Sequence, residues 1–365
     1  MDNKPNIIAY YLPQFHPLKE NDEWWGKGFT EWTNVGKARP LFPGHCQPKV
    51  PADLGYYDLR LPVVRQEQAS LAREAGISGF CYWHYWFGKG RQLMNEIIDD
   101  VARTGKPDFP FCLGWANESW KAKQWNKDGR GDRVLALQEY GGEEDYRAHY
   151  EYVRGLAENR NYIRVNGKPF FLIYKPFDSP EIKKVLALWN RWAREDGLSD
   201  GFYFVASLDR DSRKDECLSM GFDAVTPAHL QRVQWSFEHK PRWIRGIIRK
   251  LRELNVYPMR FDMRSVNRHI PEQNYDYAED VIPFLLPQWD HTPRSGKKGY
   301  LTVHSTPEEF RRQAEAVLAL VAKKKNKLVI LKSWNEWAEG NYMEPDLKHG
   351  KGFIVALAEA LKKYE

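Results

Sequence analysis

Two glutamates three residues apart, Glu336 and Glu339, stand in Trp334-Asn-Glu-Trp-Ala-Glu-Gly340. Breaking or making a glycosidic bond needs such a set. One carboxyl must hold a proton, another must be ionised, and flat apolar faces must stack on pyranose rings. The motif follows Leu328-Val-Ile-Leu331, four apolar β-formers that read as a strand buried on both faces. The competing reading is an ordinary strand-to-helix loop, its glutamates solvated and its tryptophan plugging a core.

Such a pair is useful only if a scaffold holds it. Apolar β-rich runs at 6–12, 77–82, 109–115, 169–174, 202–206, 223–226, 281–286 and 328–331 alternate, for the most part, with helical patterns. Those patterns lie at 61–75, 92–104, 143–158, 182–195, 308–323 and 353–363. Eight strands separated mostly by helices predict an α/β protein, a single (β/α)8 TIM-type barrel over 1–365 with long βα loops. The longest loop, 13–57, carries Trp24, Trp25, Phe29 and Trp32, and a loop this long is expected to be a packed aromatic cover over the active-site face.

Chemistry in a barrel gathers at the C-terminal ends of the strands. Polar and aromatic clusters fall there repeatedly: Tyr11 to His16, Trp83-His-Tyr-Trp86, Ala116-Asn-Glu-Ser-Trp120, Lys175-Pro176, Gln288-Trp-Asp290, and the glutamate motif. Glu336 and Glu339 are the catalytic candidates. Tyr11, His84, Asn117, Glu118, Trp120, Trp289, Trp334 and Asn335 are the candidates for shaping sugar subsites. Three roles stay open for Glu118: binding a sugar hydroxyl, acid/base catalysis, or capping a turn. His84 reads as a sugar ligand, as a group orienting a carboxylate, or as a satisfied structural histidine.

Aromatic residues make up 14% of the 365, with 15 tryptophans, which suits a cleft lined with stacking surfaces. Cys46, Cys81, Cys112 and Cys217 show no paired spacing, and buried reduced thiols in a reducing compartment are expected. No His/Asp/Glu spacing suggests a metal, and no Gly-rich turn suggests a nucleotide, so neither metal nor cofactor is expected. The N-terminus has no apolar signal core, and no run approaches a membrane span. A cytoplasmic protein, or one peripheral on the inner face of the membrane, is the expectation.

Residues 231–270 read as a basic insertion after the sixth strand. From Arg232 to Arg268 it holds ten Arg and Lys against Glu238, Glu253 and Asp262, a net +7 where the whole chain has +6. Trp243, Ile244, Ile247, Ile248, Leu251 and Leu254 recur at helical spacing, opposed by Arg242, Arg245, Arg249 and Arg252. A basic amphipathic helix over 240–254 suits an anionic membrane or an acidic polymer; the plainer reading packs it on the barrel with a solvated cationic face. No nucleic-acid-binding motif appears.

Three motifs carry a family likeness: Asn21-Asp-Glu-Trp-Trp-Gly-Lys-Gly-Phe-Thr-Glu-Trp32, Gly114-Trp-Ala-Asn-Glu-Ser-Trp120 and Trp334 to Gly340. Together they resemble the WbsX-like proteins, glycoside hydrolase family 99-like proteins of bacterial surface-polysaccharide synthesis. The resemblance runs along nearly the whole chain and implies a (β/α)8 barrel. More distantly, the last motif is similar to that of the family 99 endo-α-mannosidases, which retain anomeric configuration. That likeness implies Glu336 as a base on the sugar 2-hydroxyl and Glu339 as the acid/base, acting through a 1,2-anhydro sugar. Ala338 stands where those hydrolases typically carry histidine, so mannose specificity does not transfer. The leading expectation is a retaining glycosidase acting inside a surface polysaccharide or O-antigen precursor. A glycosyltransferase or transglycosylase of lipopolysaccharide or capsule synthesis, and a non-catalytic glycan-binding protein, are the alternatives.

Overall fold

The computed structural model describes residues 4–121, 133–254 and 256–364. They fall into two compact units. One comprises the described residues of Met1–Ile77, His229–Ala278 and Pro283–Glu365, the other those of Ser78–Ala228 and Glu279–Ile282.

In the first unit, the strand Asn6–Tyr11 runs parallel to Leu328–Leu331, with Ile8 opposite Ile330. On its other side Leu328–Leu331 pairs with Phe284–Leu285. These strands are apolar throughout because both faces are covered. Helices Pro62–Glu74, Pro307–Val321 and Gly352–Leu361 supply the cover. Pro307 opens its helix at the first turn, where its missing N–H costs nothing, and the Thr306 hydroxyl accepts from Glu309 N–H. The run at 281–286 is shorter than expected: Pro283 has no amide hydrogen for a ladder, and the strand is confined to Phe284–Leu285.

The second unit holds five parallel strands in the order Gly79–Trp86, Phe111–Trp115, Lys168–Ile173, Tyr203–Ser207, Ala224–Thr226. Between them run Glu96–Thr104, Glu143–Ala157, Ile182–Glu195 and Lys214–Met220. Trp189, Phe171 and Phe202 pack at its centre. Two boundaries differ from expectation. The second strand runs on through Trp86 with all eight residues buried, so Trp83 to Trp86 belong to it rather than to a loop beyond it. The following helix starts at Glu96, not Gln92, because Gln92–Leu93 pair back onto Tyr85 and Trp86.

His84 is also placed differently from a sugar ligand. It is buried, its Nε2 faces His149 Nε2 at 2.9 Å, and its ring stacks on Tyr152. Burial drives the His84 pKa down to about 3; burial and then the His84 charge lower His149. The unfolded chain therefore binds more protons between about pH 3 and 6.5. Stability from this pair is whole above pH 6.5 and falls below it, by about 1.4 kcal/mol per pH unit for a histidine that stays neutral. Urea unfolding at pH 7 and pH 5 should show the wild type losing about 4 kcal/mol more than His84→Phe/His149→Phe across that interval, about 2 kcal/mol from each histidine. Equal losses would mean the pair is not buried neutral.

Segment 13–57 is not structureless. Thr30 and Thr33 form a capping box at the start of Glu31–Lys37, and a second short helix spans Lys19–Trp25. Of the cysteines, Cys81, Cys112 and Cys217 are buried but Cys46 is exposed, so burial holds for three; all four are free thiols. Of the ten cations from Arg232 to Arg268, Arg232 lies inside the protein, fully buried against Asp276.

Candidate active site

The glutamate motif is a small hairpin of the first unit. Asn335–Glu336 pair antiparallel with Asn341–Tyr342, and Trp337–Glu339 form one 3-10 turn between them. Its base is fastened to the first strand. Trp334 N–H donates to Tyr10 C=O at 2.7 Å, and the Asn335 side chain accepts from Leu12 N–H at 2.8 Å and donates to Leu12 C=O at 3.0 Å. Asn335 thus continues the backbone ladder with its side chain. Beneath the turn, Trp337 stacks on Tyr342 with centroids 3.8 Å apart and meets Trp32 at 5.5 Å, which brings the 13–57 segment against the motif.

The spacing leaves Glu336 and Glu339 at the two ends of one turn, Glu336 at its N-cap and Glu339 as its last residue. Arg294 donates to Glu339 Oε1 at 2.6 Å and, through its other terminal nitrogen, to Glu31. His291 Nε2 lies 4.0 Å from Glu339 Oε1. Burial alone would raise Glu339; Arg294, then Lys332 and His291, overcome it and hold the carboxyl at about 2. Arg294 thus faces three carboxyls, those of Glu31, Glu339 and Glu336, and Lys332 adds its charge at Glu339.

Asp290 anchors the turn from behind. Its N–H donates to Glu339 C=O at 2.7 Å, and its carboxylate takes His45, Gln47 and Thr292. Burial would raise Asp290, but the His45 bond and the Lys49 charge hold it at about 2. Asp290 also lines a cavity of about 760 Å³ with Lys49, Arg260, His304 and Lys348. Neither Glu336 nor Glu339 lines it, so it is not where the pair would react. Glu344 is sealed below, accepting from Tyr57, Gln68 and Trp337, and burial raises it to about 7 against those three donors.

Gly340 closes the turn at φ 53°, and a Cβ there would meet Asp290 Cβ at 2.7 Å. Gly340→Ala adds left-handed strain to that clash and parts Asp290 from Glu339. It should lower unfolding free energy by about 1–3 kcal/mol, read as a urea midpoint shift at unchanged slope. A shift of less than half that would show that the turn adapts.

The other residues singled out in the sequence divide by burial. Tyr11 donates to Gln68 at 2.6 Å and is buried, as are Trp334 and Asn335: these build the hairpin's support rather than a sugar-facing surface. Trp289 is buried against Tyr300 and His229. In the second unit, Asn117 is buried and its side chain bridges Lys175 N–H and C=O. Glu118 is exposed; Trp120 is half-buried against Tyr85 and Phe87. Sequence reasoning missed Arg294, His291, Lys332 and a role for Glu31. Arg294 lies four residues past Asp290, and Glu31 lies within the Phe29-Thr-Glu-Trp32 run, so both signals were at hand. Among the described residues, no cluster of three or more His, Cys, Asp or Glu could hold a metal ion, and no helix is long and apolar enough to cross a membrane.

Solved structures match the chain along nearly its whole length. A family 99 endo-α-mannosidase from Bacteroides thetaiotaomicron has a TM-score of 0.57 at 14% identity, covering 100% of this chain and 98% of its own. A glycoside hydrolase-like protein has a TM-score of 0.60 at 16% identity, covering 98% and 94%. At such identities they show the fold alone, and it is the expected (β/α)8 barrel. Two proteins of Xanthomonas campestris pv. campestris, each called uncharacterized protein WxcX, are 38% and 37% identical over 98% of this chain. The chain spans about half the length of these curated relatives. A family model described as "Glycosyltransferase WbsX" matches residues 7–357, and with those relatives it establishes that the chain belongs to the WbsX family.

Proposed function

We propose that the protein is a carbohydrate-active enzyme that opens an internal glycosidic bond with retention, on a bacterial surface polysaccharide or its O-antigen precursor. The observation that carries this reading is the Glu336–Glu339 pair at the two ends of one turn, with Arg294 donating to Glu339 at 2.6 Å. Two carboxyls placed on one turn can divide the roles of base and acid, which is what acid/base work on a sugar requires. The family's name and the barrel's hydrolase likeness favour a glycan substrate.

In the proposed reaction, the entering sugar draws Arg294 away and Glu339 takes up a proton from solvent. Glu336 then takes the proton of the 2-hydroxyl as O2 bonds to C1. The C1–O bond to the leaving chain breaks, and Glu339 gives its proton to the departing oxygen. In the second half, Glu339 takes a proton from a water whose oxygen attacks C1. The C1–O2 bond opens and O2 recovers its proton from Glu336. Two inversions at C1 give retention. An acceptor hydroxyl in place of water would give transfer by the same steps, and the family's description is the specific reason to keep that reading.

The test is to incubate the protein with the polysaccharide made by the host's own gene cluster in ¹⁸O-water and follow products by mass spectrometry. Shorter chains with ¹⁸O at the new reducing end establish hydrolysis. Products of altered length without ¹⁸O establish transfer. Unchanged chains that nevertheless bind saturably would sink the catalytic reading and leave a glycan-binding barrel.

A further inference from the structure

The helix Arg242–Glu253 carries two features the carboxylate pair does not use. Its apolar residues recur at three- and four-residue spacing and share one side. Ile244 and Ile248 are half-buried, whereas Trp243, Ile247 and Leu251, with Leu254 just beyond the helix, are 68%, 52%, 37% and 65% exposed. At 3.6 residues per turn these four fall within about 80° of arc. The remainder of the helix carries Arg242, Arg245, Arg249, Lys250 and Arg252 against one acid, Glu253. The half of the apolar side bearing the isoleucines seats the helix; the half bearing Trp243 stays open.

We propose that this helix docks on an anionic phospholipid bilayer, lying in the plane of the headgroups with Trp243, Ile247, Leu251 and Leu254 sunk into the acyl boundary. Charge complementarity selects this occupant. Anionic headgroups pair with the flanking cations while the apolar edge takes the stripe, and tryptophan favours that interface. A second copy would set the same cations, Arg242, Arg245, Arg249 and Lys250, against themselves across a two-fold axis. An acidic polymer would neutralise the cations but leave the tryptophan stripe in water. The docking would hold the protein where lipid-linked substrates lie, though it stands on the helix alone and not on the carbohydrate reading.

Co-sedimentation with vesicles of phosphatidylcholine, alone or mixed with phosphatidylglycerol, tests it on the whole chain. The protein should pellet with the anionic vesicles only. Trp243→Ser/Ile247→Ser and Arg242→Glu/Lys250→Glu should each weaken that binding by about tenfold or more. These side chains are exposed, so circular dichroism should be unchanged in both variants. Three results overturn the proposal. The wild type could stay in the supernatant with both vesicles. The serine variant could bind as well as wild type, leaving charge adhesion of the kind any acidic polymer gives. Light scattering could show a wild-type dimer that the serine variant dissolves, assigning the stripe to a second copy.

Discussion

Glu336→Gln and Glu339→Gln are each expected to lower the rate of glycan cleavage or transfer by roughly two to four orders of magnitude, the usual worth of a positioned acid or base. A glutamine keeps the size and the hydrogen-bonding oxygen but can neither take nor release a proton. Initial rates on the host polysaccharide, by chain-length mass spectrometry, give the size of the loss. Isothermal titration should show glycan affinity changed only a few-fold; lost binding would mean the glutamates build the site rather than work in it. Retained turnover in either variant would remove that residue from the chemistry. Arg294→Met separates charge from structure. Glu339 is depressed, so its contribution to stability is present above its ordinary pKa of 4.5 and lost as pH falls toward about 2. Without Arg294 that contribution goes, burial pushes Glu339 upward, and the acid limb of the pH–rate profile should move to higher pH. A limb that stays in place would show that Glu339 does not set it.

Much of this arrangement was legible in the chain. The Leu328–Leu331 strand was visible as a continuous apolar run, and Glu336 and Glu339 stood out by type and spacing. What spacing could not convey was ionisation. The acid/base role implied for Glu339 calls for a held proton, yet Arg294 and Lys332 keep it ionised at rest. Neither cation is near it in a way sequence distance reveals, except that Lys332 begins the segment leading into the hairpin. Burial misled in the opposite direction. Tyr11, His84, Asn117, Trp334 and Asn335 are polar or aromatic residues at strand ends, the usual dress of sugar subsites, but each faces inward and fastens backbone or core. An inward asparagine that continues a ladder and one that reaches a sugar look the same in sequence. The basic stretch taught a similar lesson, because one of its ten cations is a fully buried arginine while its tryptophan Trp243 lies open to solvent.

That buried arginine gives the largest stability change expected in the protein. Arg232 donates both terminal nitrogens to the two oxygens of Asp276, at 2.6 and 2.9 Å, with side chains 0% and 1% exposed. The guanidinium also lies over Tyr275 and Trp235, 5.3 and 5.7 Å from their centroids, and Glu272 N–H donates to Asp276 at 2.9 Å. The pair joins the helix His229–Glu238 to the short helix Gln273–Asp276, so it fixes the start of the basic segment. Arg232→Met leaves a buried carboxylate without its cation and should cost about 3–5 kcal/mol of unfolding free energy. Arg232→Met/Asp276→Leu removes both charges and should recover most of that loss, because apolar residues of similar volume commonly replace a buried pair at little cost. Urea midpoints of the two variants read the difference directly. A single variant costing under about 1 kcal/mol would mean water reaches Asp276. A double variant as unstable as the single would mean that packing over Tyr275 and Trp235, rather than the charge, holds these helices together.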